Sequence, residues 1–126
     1  MGNQQSYNSA DFVHSCRRGD LDRAQMLYSS SDIDIHQNNE QAFHWACEYG
    51  HLDVAKWLYS LGDVDTHICD DAAFNYACRK GHLEVAQWLY SLGNMHNNTH
   101  IKTTLCQTVK KGHLEVAKWL ADKFVH

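Results

Sequence analysis

The sequence predicts an all-α repeat solenoid, built from four stacked helix-loop-helix units. Three observations support this fold class: a constant repeat period, an apolar pattern with helical spacing in each copy, and the absence of proline. Because proline interrupts helices, a chain of 126 residues without one suits closely packed helices.

The repeat period is 31 residues, and it continues through the chain without a gap. The columns that carry it are Gly19, Gly50, Gly81 and Gly112; Phe12, Phe43, Phe74 and Leu105; Cys16, Cys47, Cys78 and Val109; and Met26, Trp57, Trp88 and Trp119. These columns predict one domain over residues 9–126, with repeats at about 9–37, 38–68, 69–99 and 100–126. We expect residues 1–8 to form a flexible polar leader.

The first helix of each unit is seen most clearly in the third repeat, as "DAAFNYACRK". Phe74, Ala77 and Cys78 are spaced at i, i+3 and i+4, so they share one helical face. Gly81 follows in the position favoured for a left-handed helix cap. The small Ala and Cys side chains predict that a neighbouring helix approaches closely.

The second helix reads "HLEVAQWLYSLG" in the third repeat, and only a narrow strip of it is polar. A helix with so wide an apolar arc must be covered on two sides. Its own partner helix covers one side, and the next repeat must cover the other. One unit therefore cannot bury its own apolar surface, whereas stacked copies form a continuous core.

The phrase "GHLDVAKWLYSLG" and its copies, together with a preceding short helix, resemble the ankyrin repeat. The resemblance covers nearly all of residues 9–126, and it implies an ankyrin-like solenoid. The family's T-P-L-H opening is replaced by "ADFV", "QAFH", "AAFN" and "TTLC", which leaves only His44 in the place of the family's histidine. The family's unit usually has 33 residues, so we expect short or irregular fingers. The phrasing also resembles divergent ankyrin arrays of giant DNA viruses and protists.

The resemblance implies a non-catalytic protein that binds a protein partner through its fingers and the exposed face of its first helices. With Phe74, Ala77 and Cys78 facing inward, the opposite face carries Tyr76 and Arg79, with Lys80 close by. The predicted partner-binding residues are Arg17, Arg18, Trp45, Glu48, Tyr49, Tyr76, Arg79, Lys80, Lys110 and Lys111. Exposed aromatic residues are typical of binding hot spots.

Each feature of this face also has a purely structural interpretation. Cations in the last turn of a helix are favoured by the helix dipole, whatever the helix binds. Trp45 or Tyr76 could pack against a neighbouring helix. The fingers are acidic, at Asp32, Asp34, Asp63, Asp65, Asp70 and Asp71, as a solvated loop would be. Acidic fingers beside a basic face would also give the binding groove a field that orients a partner.

The N-terminal "MGNQQS" matches the pattern for N-myristoylation, with Gly2 acylated and Ser6 in the favoured place. The alternative function is therefore an N-myristoylated, membrane-associated adaptor. One myristoyl chain gives only weak membrane association, and a second signal is normally needed. The residues before Arg17 contain no Lys or Arg to provide that signal.

Other classes of function receive little support. The net charge of −4 gives no reason to expect nucleic-acid binding, and no motif of an enzyme or cofactor site is present. Five cysteines without paired spacing favour a reduced, cytoplasmic setting, and we expect a monomer. The least implausible metal ligands, His67, Cys69, His96 and His100, lie in loops that impose no common face, so no metal is expected.

Overall fold

A computed structural model describes residues 3–93 and 100–125, without the side chains of residues 3–7 and 70. The described residues form eight α-helices and no strand. The helices are α1 (Asn3–Arg18), α2 (Leu21–Ser30), α3 (Gln37–Glu48), α4 (Leu52–Ser60), α5 (Ile68–Arg79), α6 (Leu83–Ser91), α7 (Ile101–Lys110) and α8 (Leu114–Phe124). None of the helices in this part of the chain has the length and apolar character needed to cross a bilayer.

The eight helices are arranged as four stacked pairs, α1–α2, α3–α4, α5–α6 and α7–α8. The first helices also pack against each other in the order α1, α3, α5 and α7. This order confirms the predicted helical repeat solenoid. Helix α1 begins at Asn3, inside the segment that the sequence assigns to a leader, and the boundary at residue 9 stays a prediction.

The inward faces of the first helices follow the predicted columns. Ala46, Cys47, Ala77 and Cys78 have no exposed surface, so neighbouring first helices approach along small side chains. Burial raises the pKa of the Cys78 thiol to about 12, although the nearby Arg79 lowers it slightly. The cysteine column is therefore inert core rather than a reactive or metal-binding set.

Tryptophan side chains join the second helices α4, α6 and α8 to the preceding repeat. Trp88 of α6 contacts the Phe43 ring of α3 and the Tyr59 ring of α4, with ring centroids 6.1 and 5.6 Å away. The same arrangement occurs for Trp57 on Phe12 and Tyr28, and for Trp119 on Phe74 and Tyr90. Each of these three tryptophans is half-buried, because the ring lies at the seam between two repeats.

Histidine and glycine form a second contact between repeats. A Cβ atom added to Gly50 would lie 2.5 Å from Nδ1 of His82, so the imidazole lies directly against the glycine of the preceding repeat. Gly50 also has a φ of +81°, which L side chains rarely adopt. His51 and His113 lie in the same way against Gly19 and Gly81. The repeated Gly-His pair therefore reflects a contact between repeats. Glycine is needed there both for its positive φ and for the space that the histidine ring occupies.

The finger between α2 and α3 and the finger between α4 and α5 are short turns, and both lead into an irregular first turn of the following helix. Asn38, Asn39 and Glu40 at the start of α3 have left-handed backbone angles, with φ between 55° and 62°. The Glu40 side chain is buried and accepts a hydrogen bond of 2.6 Å from the backbone N–H of Asp65 in the next finger. Asp71, expected to be a solvated finger residue, is buried and bonds to His67.

Candidate functional site

The predicted binding face is built at the ends of the first helices. Two adjacent positions recur in the four repeats. The first is occupied by Arg17, Glu48, Arg79 and Lys110, and the second by Arg18, Tyr49, Lys80 and Lys111. Four of these residues, Arg17, Tyr49, Arg79 and Lys80, lie close to the neighbouring aromatic residues Trp45 and Tyr76. We name Arg17, Trp45, Tyr49, Tyr76, Arg79 and Lys80 the cation–aromatic cluster, which spans α1, α3 and the end of α5.

The centre of the cluster is a stack formed by repeats one and two. The Trp45 and Tyr49 rings, one helical turn apart on α3, are stacked with centroids 5.7 Å apart. The Arg17 guanidinium of α1 lies over both rings, 4.7 Å from Trp45 and 5.3 Å from Tyr49. Its Nη2 also donates to the Tyr49 hydroxyl at 3.3 Å. This arrangement fixes a long, flexible cation on an aromatic platform.

Lys80 approaches the same platform from the third repeat. Its Nζ lies 5.7 Å from the Tyr49 ring centroid and 4.0 Å from Oε2 of Glu48. Glu48 was expected to be an exposed contact residue, but it is only 8% exposed. Its other oxygen, Oε1, lies 3.1 Å from Nε2 of His44. Glu48 is therefore an internal counterion that positions its neighbours rather than a contact residue.

Tyr76 and Arg79 form the third part of the cluster. Arg79 lies over the Tyr76 ring at 5.1 Å, and the Tyr76 ring meets the His44 ring edge-on at 5.2 Å. The Nε atom of Arg79 is buried without a hydrogen-bond partner among the described residues. Tyr49 and Tyr76 keep 36% and 37% of their surface exposed. Both aromatic residues therefore pack against neighbours and still reach the surface.

The remaining predicted residues lie outside these contacts. Arg18, Lys110 and Lys111 are exposed, and Lys111 follows the last residue of α7. They extend the positive surface along the solenoid without touching an aromatic ring of the cluster. Gly2, the predicted acylation site, lies outside the described residues.

A cavity of about 710 Å³ adjoins the cluster between the first finger and the helices α1 and α3. Arg17 and Trp45 line one part of it, Val13 its apolar floor, and Asp32 and Asp34 the finger side. The cavity therefore has a cationic, aromatic wall and an acidic wall. This arrangement agrees with the predicted contrast between a basic helix face and acidic fingers.

Among residues 3–93 and 100–125, no group of three or more His, Cys, Asp or Glu could hold a metal ion. Of the weighed metal ligands, His67 bonds to Asp71 and Cys69 is exposed, while His96 lies outside the described residues.

Two features of the site were missed by reasoning from sequence. The resemblance gave His44 only the place of the family's histidine, whereas the structure shows it bonded to Glu48 and in contact with Tyr76. Its spacing of four residues from Glu48 was a usable signal, because such pairs meet on one helical face. Val13 and the cavity had no signal, because the cavity exists only where a finger faces two helices.

The stacked helix pairs define the class of the protein: an α-helical repeat solenoid, on which several repeats together build the cation–aromatic cluster. A comparison with protein-family models matches ankyrin repeats (many copies) over residues 12–59 and 43–89. The matches together cover more than half of the chain, so the chain belongs to the ankyrin repeat family. Ankyrin repeats generally mediate protein–protein interaction and are typically non-catalytic. A search of curated proteins found no match.

Proposed function

We propose that this protein binds a protein partner through the cation–aromatic cluster and the adjoining fingers. The observation that carries the proposal is the contact of Arg17 with Trp45 and Tyr49. Repeats one and two build this platform together, and repeat three adds Lys80 to it. Core packing needs apolar contacts but no exposed cations on aromatic rings. Tyrosine, tryptophan and arginine are the side chains that most often dominate binding energy.

The orientation of a partner follows from the charges around the cavity. Arg17 lies at one side and Asp32 and Asp34 at the other, so a bound segment meets fields of opposite sign. Such a field favours one direction of binding and rejects the reverse. The aromatic platform then supplies contact area at low entropic cost, because its rings are already packed in place.

A pull-down from native lysate tests the proposed function. The test variant combines Trp45→Ala, Tyr76→Ala and Arg79→Glu, which removes two aromatic rings and reverses one charge of the cluster. The control variant combines Met26→Ala, Leu114→Ala and Lys118→Glu, three exposed positions on second helices. We expect the wild type and the control to capture a partner that the test variant loses.

Circular dichroism and urea unfolding must show that both variants are folded, since Trp45 is half-buried. A partner retained by the folded test variant would place the binding surface elsewhere. An absence of any specific partner for the wild type would contradict the binding function itself.

Our proposal places the binding module in the cytoplasm as a monomer, and the free state of all five cysteines supports the reducing compartment. Light scattering after size exclusion measures the oligomeric state. The alternative of a myristoylated adaptor rests on Gly2 and Ser6 alone. An intact mass from native cells, carrying one myristoyl group at Gly2, would favour it. The resemblance to arrays of giant viruses and protists stays a prediction about the source.

A further inference from the structure

The basic row, defined as Arg17, Arg18, Arg79, Lys80, Lys110 and Lys111, has almost no internal counterions. Among the described residues, Lys80 is the only cation of this row within salt-bridge distance of a carboxylate, that of Glu48 at 4.0 Å. Arg23, which lies outside the row, is paired by contrast, since it contacts Asp11 at 2.6 Å. The chain as a whole carries a net charge of −4, so this concentration of unpaired positive charge is local.

We propose that the basic row binds an acidic segment of the protein partner, extended along the solenoid, with acidic residues at every third position. This inference rests on the proposed function and specifies the chemistry of what occupies the same face. The charge of the row, its spacing and the state of its arginines each support it.

The spacing of the row follows from the stacking of the first helices. Packed helices lie ~8–10 Å apart, so the two positions of the row recur at about that interval from one repeat to the next. A polyproline II segment has three residues per turn and rises ~3.1 Å per residue. Its residues i and i+3 therefore lie on one side, ~9 Å apart, which matches the interval between repeats.

The second repeat has no cation in the row, since Glu48 and Tyr49 occupy the two positions. Arg17 and Lys80, from the two neighbouring repeats, place their charges over the Tyr49 ring, at 5.3 and 5.7 Å from its centroid. The positive surface is therefore continuous across the second repeat. A segment that crosses Tyr49 meets a cation on each side of the ring.

Stacking on the rings prepares Arg17 for a carboxylate. A guanidinium that lies over an aromatic ring keeps its N–H groups in its own plane, where they bind carboxylates in a fork. Arg17 uses Nη2 for the Tyr49 hydroxyl, at 3.3 Å, and bonds to no carboxylate of the described residues. Because its side chain is already held by Trp45 and Tyr49, a ligand need not order it.

An acidic protein segment fits this face better than a nucleic acid does. Asp32 and Asp34 line the cavity beside Arg17, and the buried carboxylate of Glu48 lies under the row. Double-stranded DNA carries one negative charge per ~1.7 Å of its axis, so its backbone would be repelled by the fingers. A short segment with separated acids avoids them, because its other residues can be neutral or basic.

Trp45 provides a specific reporter for the test. The chain has four tryptophans, and the other three, Trp57, Trp88 and Trp119, lie between repeats rather than on the row. A 1H–15N spectrum of the whole chain resolves indole N–H signals, and Trp45→Phe assigns the relevant one. Three of the probes are end-blocked peptides of about twelve residues. The first has Glu at every third position, the second has the same composition with the Glu residues adjacent to one another, and the third has Lys in place of each Glu. Single-stranded oligouridylate of equal length is the fourth probe.

We expect the regularly spaced Glu peptide to move the Trp45 signal at low salt and to bind at least about tenfold more tightly than the other probes. Arg17→Glu with Lys80→Glu should abolish the shift. Lys56→Glu with Lys118→Glu changes the net charge equally at exposed positions of second helices and should preserve it. Arg18→Gln with Lys110→Gln and Lys111→Gln, which leaves the cluster intact, should weaken binding at least about threefold.

Three results would overturn the proposal: no shift with any probe, a stronger row-dependent shift with oligouridylate, or equal binding of the spaced and clustered Glu peptides. The pull-down separates this failure from failure of the proposed function. Suppose that the triple variant with Trp45→Ala, Tyr76→Ala and Arg79→Glu loses the partner, but no Glu peptide moves the Trp45 signal. The proposed function then stands, and the acidic segment is rejected.

Discussion

The contacts between repeats two and three differ sharply from the outer face of repeat four. Trp88 lies against Phe43 and Tyr59, and His82 lies against Gly50. The outer face of repeat four keeps the glycine, Gly112, but a Cβ atom there would meet nothing within 4 Å. Leu105 and Ala121 occupy the positions that are phenylalanine and tyrosine in the other repeats. Repeat four therefore lacks the aromatic pair against which a tryptophan packs.

The first repeat shows the complementary loss. Asp20 replaces the column histidine, and its carboxylate caps α2 through the backbone N–H of Arg23 at 3.2 Å. Met26 replaces the column tryptophan and is 54% exposed. Each interface thus has a receiving half and an inserting half. Repeat one lacks the inserting residues, and repeat four lacks the aromatic receiving residues.

The comparison teaches that a column residue has no fixed energetic value. The same residue type at the same backbone angle stabilises the fold only where the neighbouring repeat supplies the other half of the contact. Predictions that place one substitution at both locations can therefore separate local backbone effects from effects of stacking.

The largest difference is expected in thiol reactivity. Cys16 and Cys78 are fully buried, and burial raises the pKa of each thiol to about 12 from an ordinary 9.0. A shift of this size lowers the thiolate fraction about a thousandfold. Val109, the equivalent residue of repeat four, is 50% exposed. We therefore expect a Val109→Cys thiol to react about a thousandfold faster than the column cysteines.

Mass spectrometry after timed alkylation at pH 8 measures these rates for each thiol. The exposed residues Cys69 and Cys106 serve as internal standards for unhindered reaction. Fast labelling of Cys16, Cys47 and Cys78 in the folded protein would show that the first helices do not pack as described.

The fold was predictable from sequence because it depends on a pattern repeated four times. Phe74, Ala77 and Cys78 identified the inward face by spacing alone, and all three are fully buried. The opposite face followed by elimination, and on α3 it contains Tyr49, which is 36% exposed, and Trp45, which is half-buried against the Tyr49 ring. Periodicity locates residues of this kind because every copy obeys the same constraint.

Features outside the repeated columns of buried residues were not predicted. Glu48 shares its column with Arg17 and Arg79, and only its contacts with His44 and Lys80 explain why it is buried. No glycine in the sequence indicates the left-handed backbone angles at Asn38, Asn39 and Glu40, or those at Cys69 and Asp71 in the next repeat. A repeat pattern specifies average geometry, whereas these details depend on which side chains meet across one particular interface.

The next largest effect is expected for the tryptophan column. Trp88→Ala removes a half-buried ring that contacts Phe43 and Tyr59, and we expect it to lower the free energy of unfolding by about 3 kcal/mol. Met26→Ala, at the equivalent position of repeat one, should cost less than about 1 kcal/mol because Met26 is mostly exposed. Urea unfolding measures both. Equal losses of stability in the two variants would mean that the contact of Trp88 with Phe43 and Tyr59 does not stabilise the fold.

A smaller difference is expected between two glycines with the same φ of +81°. Gly112→Ala introduces only backbone strain, about 1 kcal/mol. Gly50→Ala adds a clash with the His82 ring, 2.5 Å from the new Cβ, so we expect a loss of about 2–3 kcal/mol in total. Urea unfolding of both variants isolates the histidine contact, since the strain is common to them. Identical losses would show that the ring moves aside without cost.

The smallest effect concerns the protonation of His82. Burial lowers the pKa of its imidazole below the ordinary 6.5, and the neighbouring His51, His113 and Lys80 lower it further. The hydrogen bond to the Glu48 backbone is the second-largest influence and raises the pKa, but it does not outweigh burial. The folded state therefore binds its proton less readily than the unfolded state does. This contribution to stability is complete above pH 6.5 and is lost as the pH falls from 6.5 through the lower folded pKa.

Titration of the His82 ring by NMR, assigned with His82→Gln, measures the shift directly. We expect a midpoint below 6.5, together with a urea midpoint that decreases between pH 7 and pH 5 and decreases less in His82→Gln. A His82 midpoint at or above 6.5 would contradict the close contact with Gly50. In that case the imidazole would be solvated. The surroundings of Gly50 would then be open, like those of Gly112, and the difference between the two locations would disappear.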